Sequence, residues 1–307
     1  MPIERPATHG QILQALARND KLPAEDRPRV QEALDRYCDW RRDLEQMEGE
    51  GAALLERLVN RTNEYKKFVE FDLIFMSPAD FLYRQAGQLK INNTILEEFL
   101  PFVVDERLIP GVRTIPSVTV GPQPCYAGMY IGPIQAPLAN GGIYIKTKNQ
   151  DFTVGRKLYL RACSTGRFDA CLNTSFNVAY FVSEIKTNLD KTMFQEAAAT
   201  ARELKSSVGD AVYVLLCEWL DMPPIDTRVT AIDEVIILRR ARRLGSGVRA
   251  LFSTFAGRQR ARDLVERNLT DNPLSLAAFE RLLEKLQSSF PEEVGLNERD
   301  VLNRGYF

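Results

Sequence analysis

The segment Asn177-Val178-Ala179-Tyr180-Phe181-Val182-Ser183-Glu184-Ile185-Lys186 limits the fold of this chain more than any other stretch. Its β-branched and aromatic residues predict a strand, and it closes on an acid and a lysine two positions apart, which on a strand project from the same face. Two charges at the end of a buried run cost free energy unless water, a metal ion or a partner receives them. The same Glu-x-Lys spacing recurs at Glu64-Tyr65-Lys66 and Glu203-Leu204-Lys205, but both copies lie in charged segments that read as helix. Only Glu184 and Lys186 end a hydrophobic strand, and their face is where chemistry is expected.

After this strand, Thr187 and Asp190 have the spacing of a helix-capping pair. Met193, Phe194, Ala197, Ala198, Ala201 and Leu204 then recur at helical intervals, giving a small-residue face that can lie close against a sheet. Ala211-Val212-Tyr213-Val214-Leu215-Leu216-Cys217 reads as a second buried strand. The unit is strand, helix, strand, and a right-handed crossover is expected of it.

The run from Asn177 to Ala197 resembles the active-site segment of type II restriction endonucleases in the PD-(D/E)xK superfamily, in particular the Bpu-ten-type branch. Its most specific part is Glu184 to Glu196, and a looser likeness extends from about Gly121 to Leu216. The resemblance implies an α/β fold: a PD-(D/E)xK nuclease-like core of mixed sheet flanked by helices, with a helical N-terminal region and a helical C-terminal region. It also implies Mg²⁺, held by Glu184 and one more acid on the neighbouring strand, with the Ile185 carbonyl as a further ligand, because a hard divalent ion is bound by converging oxygens.

Two aspartates qualify as that second acid. Asp151 falls opposite Glu184 if the intervening turn centres near Arg167 or Phe168, and is preferred. Asp169 lies a comfortable hairpin's length before Glu184, although turns also favour Asp. The resemblance gives Lys186 the task of positioning the attacking water or stabilising developing charge. In such nucleases a helix residue at the position of Glu196, about one turn into the following helix, would supplement the metal site or orient the attacking water.

The residue inventory narrows the chemistry. His9 is the only histidine and lies in a polar N-terminal segment, so Ser-His-Asp hydrolases and histidine-metal enzymes are excluded. A hydrolase here must work with carboxylates and lysine. Five cysteines without a Cys-x-x-Cys pair argue against a disulfide framework and a zinc knuckle, and favour a reducing cytoplasm. Met1-Pro2-Ile3-Glu4-Arg5 begins no signal peptide, and no apolar run approaches the roughly 20 residues that span a bilayer, so no membrane partner is expected.

From Gln11 to about Leu100 the apolar residues recur at helical intervals, for instance Val30, Leu34 and Tyr37, then Leu54, Leu55, Leu58 and Val59. Beyond Val103, Pro110-Gly111 and Gly121-Pro122-Gln123-Pro124 break the chain into short extended pieces. The expected division is a helical N-terminal region, 1–110, a catalytic core, 111–240, and a basic helical C-terminal region, 241–307.

The 40 Lys and Arg against 41 Asp and Glu leave a formal net charge of -1, so any DNA-binding surface must come from local segregation of charge. Arg239, Arg240, Arg242 and Arg243, then Arg258 and Arg260, supply such clusters, since a guanidinium can pair with phosphates or take guanine O6 and N7 together. The expected function is a Mg²⁺-dependent, sequence-specific endonuclease of double-stranded DNA. It would be a type II restriction enzyme or one subunit of one, acting as a homodimer or as a heterodimer with a related subunit. The alternatives are a structure-selective repair or recombination nuclease and a DNA-binding subunit that does not cleave.

Overall fold

The β-branched and aromatic runs form one five-stranded sheet in a computed structural model that describes residues 3–114, 117–134, 142–169, 171–290 and 298–305. Strands β1 (Val118–Ile131), β2 (Ile143–Cys163), β3 (Cys171–Leu189), β4 (Val212–Leu220) and β5 (Glu234–Arg242) lie across it in that order. The first three neighbours are antiparallel, whereas β3, β4 and β5 run parallel, so the sheet is mixed. Helix α6 (Lys191–Ser207) makes the crossover from β3 to β4.

Along β4 the side chains alternate between two cores. Tyr213, Leu215 and Cys217 pack with Phe194, Ala197, Ala201 and Leu204 of α6. Val214 and Leu216 face the other way and join Phe152, Val154, Phe181 and Ile185 against the N-terminal helices. Because both faces are covered, β4 reads as an unbroken apolar run rather than an alternating one. The small side chains of Ala197 and Ala201 let α6 lie close, and burying a side chain such as Phe194 contributes about 1.5–3 kcal/mol.

The N-terminal helices are α1 (Thr8–Ala17), α2 (Arg27–Gln46), α3 (Gly51–Lys67), α4 (Asp80–Gln85) and α5 (Asn93–Val103), with a π-helical extension of α3 over Phe68–Phe75. His9 is not part of a polar surface segment; it is fully buried, within 3.0 Å of Thr94 Oγ1 and 2.8 Å of Tyr65 Oη. Burial, with Lys66 nearby, pushes its pKa down to about 3, so the ring is a neutral tie between α1, α3 and α5. After β5 come α7 (Ser246–Arg249), α8 (Phe255–Arg260), α9 (Arg262–Asp271), α10 (Leu276–Ser288) and α11 (Glu298–Arg304). Ala278, Phe279, Leu282 and Leu286 seat α10 in the same core as the N-terminal helices. Among the described residues, no helix is long and apolar enough to cross a membrane.

Two features differ from the sequence expectation. The region after Val103 is not a set of short pieces, because β2 alone runs 21 residues. Gly155 permits that continuity: it sits at a register shift where any Cβ would strike the Val178 carbonyl. Secondly, Cys163 and Cys171, opposed at the last step of the β2–β3 ladder with Cα atoms 4.3 Å apart, form a disulfide. Strand register brings them together, which no cysteine motif announces. Beyond Arg156 on β2 and before Asn177 on β3, no third strand among the described residues pairs with either, so 157–163 and 171–176 stand as a two-stranded ribbon.

Candidate active site

Phe152 pairs with Ser183 across β2 and β3, which sets the preceding Asp151 against the following Glu184. Asp151 Oδ2 accepts the Ile185 N–H at 2.9 Å, and Lys186 Nζ lies 2.7 Å from Glu184 Oε1. Asp151, Glu184, Ile185 and Lys186 are therefore assembled at one point. Burial raises the Asp151 pKa and the Glu184 charge adds to the rise, while the Ile185 N–H, Lys90 and Lys186 oppose it. Burial alone would lower the pKa of Lys186. The hydrogen bond and charge of Glu184, with Asp151 and Glu196, reverse that and raise it, so Lys186 stays an ammonium. Glu196 is exposed on α6 but close enough for its charge to act on that ammonium.

Three groups at the site were missed in the sequence. Tyr213 on β4 donates its hydroxyl to Glu184 Oε2 at 2.5 Å, and burial plus that carboxylate raise its pKa, so the phenol remains a donor. Lys90 Nζ lies 4.0 Å from Asp151 Oδ1. Glu97 on α5 is buried, one of its oxygens has no hydrogen-bond partner, and burial followed by the Asp151 charge pushes it up to about 7. A signal for Glu97 existed, since Glu97 and Glu98 interrupt an otherwise apolar run from Ile95 to Val103. Glu98 has its own partners: it accepts from the His9 N–H at 2.8 Å, Tyr37 at 2.8 Å and Arg41 at 2.7 Å.

The donors around Asp151 and Glu184 are all oxygen, which suits a hard cation. Among the described residues no three or more acidic, cysteine or histidine side chains converge tightly enough to cage an ion. Mg²⁺ needs no cage, because it keeps several waters and takes one or two carboxylates. The two strand carboxylates, with the unpartnered Glu97 oxygen behind them, fit that requirement.

The other expected residues lie elsewhere. Asp169 is exposed in the β2–β3 turn, accepting from Thr165 Oγ1 at 2.7 Å, and is not brought to Glu184. Thr187 bonds Asn93 of α5, and Asp190 alone caps α6, accepting the Met193 N–H at 2.9 Å. Two expected DNA-binding arginines are internal. Arg239 is buried, 2.7 Å from Glu70 and 3.0 Å from Glu218, and Lys66 reaches the same acids at 3.2 and 3.0 Å. Arg258 is fully buried, bonded to the Phe75, Ser77 and Phe252 carbonyls and to Asp80. Neither guanidinium can reach DNA, because partners inside the protein use its donors. Arg240, Arg242 and Arg260 are exposed, and Arg243 is half-buried beside Asp221 at 2.9 Å.

Arg243 also borders a cavity of about 540 Å³ that opens beside the site. Lys186, Lys90, Asn92, Asn93 and Asn188 line one part of it, and apolar side chains such as Phe75, Trp219 and Phe252 line much of the rest.

The model of the Bpu10I restriction endonuclease family matches residues 88–307, well beyond the stretch over which the resemblance was legible. No curated protein matches the chain. Among solved structures, the native BbvCI A2B2 tetramer at low resolution is similar over 92% of this chain and 96% of that chain, at 16% identity and a TM-score of 0.46. That likeness is too slight to bear on the site.

Proposed function

Because the chain belongs to the Bpu10I restriction endonuclease family, and is with it a type II site-specific deoxyribonuclease, we propose that Asp151, Glu184 and Lys186 form its Mg²⁺-dependent phosphodiesterase centre. The observation that carries this reading is the convergence of two strand-borne carboxylates and one ammonium on a single point beside an open cavity that Lys186, Lys90 and Arg243 border. Asp151 and Glu184 would hold the ion, with the Ile185 main chain alongside and Glu97 in support. Bound there, Mg²⁺ supplies charge stabilisation at the scissile phosphate and lowers the pKa of the attacking water.

The protein's own groups have separate tasks. Lys186, fixed as a cation by Glu184, orients that water or steadies the charge that develops on phosphorus oxygens; it cannot serve as a base while it stays protonated. Tyr213 holds one Glu184 oxygen so that the carboxylate keeps a single orientation. Glu196 adds negative charge at the lysine's outer side. Arg240, Arg242, Arg243 and Arg260 contact the phosphate backbone. One such centre cuts one strand, so the working assembly contains a second copy or a related subunit.

The test is digestion of a mixed-sequence plasmid with Mg²⁺ and with EDTA, followed by sequencing of the ends. The expected result is discrete ends sharing one sequence, formed only with Mg²⁺. Linear product from this chain alone means two copies act together, whereas nicked circles cut at one sequence mean that a related subunit cuts the other strand. Nicks governed by DNA structure, or binding without cleavage, would sink the proposal.

A further inference from the structure

The β2–β3 ribbon has two unlike faces. Lys157, Tyr159 and Arg161 lie opposite Asn177, Ser175 and Asn173, and directly opposed residues share a face. That face carries only hydrogen-bonding side chains, two of them the cations Lys157 and Arg161, and no acid. Tyr159 is 80% exposed, and Lys157, Arg161, Asn173 and Ser175 are exposed as well. The opposite face pairs Leu158, Leu160 and Ala162 with Phe176, Thr174 and Leu172. Phe176 packs there on Tyr126 of β1, ring centres 5.1 Å apart, and Ala162 is buried, while Leu158 beside Phe176 stays 42% exposed. Arg161 donates to the Phe168 carbonyl at 2.8 Å and the Cys163–Cys171 disulfide closes the far end, so the ribbon holds its shape without a third strand.

We propose that this ribbon reads the base sequence of duplex DNA, its polar face entering the major groove; the proposal rests on the nuclease reading above. A major groove about 12 Å wide admits a two-stranded ribbon whose strands are about 5 Å apart. Lysine and arginine match guanine O6 and N7, asparagine matches adenine N6 and N7, and serine suits either. Residues 157–163 span about 20 Å, the length of about six base pairs, and Lys157 lies about 20 Å along the same continuous strand from Asp151. The ribbon would therefore read bases near those whose backbone is cut. A second copy of the chain is a poor occupant for the same face, because self-pairing would set Lys157 and Arg161 against like charges.

The test uses the full chain, a duplex library with a randomised stretch, and sequencing of the duplexes the chain retains with Ca²⁺ in place of Mg²⁺, alongside plasmid digestion with Mg²⁺. Asn173→Ala and Lys157→Gln change exposed side chains, and thermal unfolding checks that both stay folded. The unmodified chain should enrich one sequence. Each variant should lose preference at one or two of its positions and bind it about 5- to 150-fold more weakly, the effect of one base-edge contact. Folded variants that enrich the same sequence equally well overturn the proposal, as does an unmodified chain that enriches none. Variants that change the particle mass by light scattering but keep the sequence preference make the ribbon a contact between chains, and overturn it too. An unmodified chain that enriches a sequence yet never cuts refutes the nuclease reading and leaves the ribbon standing.

Discussion

Two charge clusters in this molecule, built from the same residue types, are wired in opposite ways. Lys66, Glu70, Glu218 and Arg239 form a closed, buried quartet in which each acid meets both cations within 3.2 Å. Burial resists the ionisation of both acids: at Glu70, Arg239 and Lys66 overcome it and hold the carboxyl below the usual range, whereas at Glu218 burial, with the Glu70 charge, outweighs Lys66 and Arg239 and holds the carboxyl above it. Around Asp151, by contrast, three carboxylates face two lysines, Lys90 is no closer than 4.0 Å, and a Glu97 oxygen is buried without a partner. A closed, balanced network holds elements together, whereas a surplus of anionic oxygen is a place to receive a cation.

The largest expected effect breaks the open cluster. Asp151→Asn, Glu184→Gln and Lys186→Ala should each lower cleavage by a factor of about 10²–10⁴ while thermal unfolding is little changed. Asp169→Asn should be mild. Because Glu184 and Lys186 serve one step, the double variant should be little worse than the worse single. Single variants that cut at the unmodified rate would remove the chemistry from this strand.

The closed cluster should respond in stability rather than rate. Glu218→Ala leaves two buried cations facing one acid, and should cost about 3–5 kcal/mol in denaturant unfolding. Arg240→Gln, one position along β5 from Arg239 but exposed, should stay within about 0.5 kcal/mol and instead reduce the log-log salt slope of DNA binding by about 0.9. If Glu218→Ala unfolds like the unmodified chain, the quartet is not what distinguishes the two clusters.

The last effect concerns pH. His9, with a folded pKa near 3 against 6.5 for a free imidazole, takes up its proton only in the unfolded chain over that interval. Its contribution to stability is present above about pH 6.5 and is lost as pH falls toward 3, amounting to about 3 kcal/mol by pH 4. Unfolding of the unmodified chain and His9→Asn across pH 4–7 should show the gap between them narrowing on acidification. Parallel curves would mean the buried ring is protonated.

What could be read in advance follows from how local each determinant is. Glu184 and Lys186 were legible because a β-branched run carries them, and Asp151 because a hairpin turning between Cys163 and Cys171 equalises its arms. The arginines were not. Arg239-Arg240-Ala241-Arg242-Arg243 looks like one basic patch in a line of letters, but in β5 Arg239 is buried and Arg240 exposed. The partners of Arg239, Glu218 and Glu70, are 21 and 169 positions away, so nothing nearby marks it as internal. His9 was misplaced for the same reason, its ring partners being 56 and 85 positions distant. Thr187 had a plausible local role as a cap and took a remote one with Asn93 instead.

The quartet also bears on how such a chain can be cut apart or recombined. Lys66 and Glu70 precede residue 88, where the family match begins, yet they neutralise Glu218 and Arg239 within it. A fragment starting at 88 loses half of that network along with the helices that cover Phe152, Phe181 and Leu216. Chimaeras that exchange the N-terminal third between related chains therefore need a cation and an anion at positions 66 and 70, matched to the strands that receive them. In hereditary terms the four residues form one unit whose members lie far apart in the chain, so that changing one alone leaves a buried charge without its counterpart.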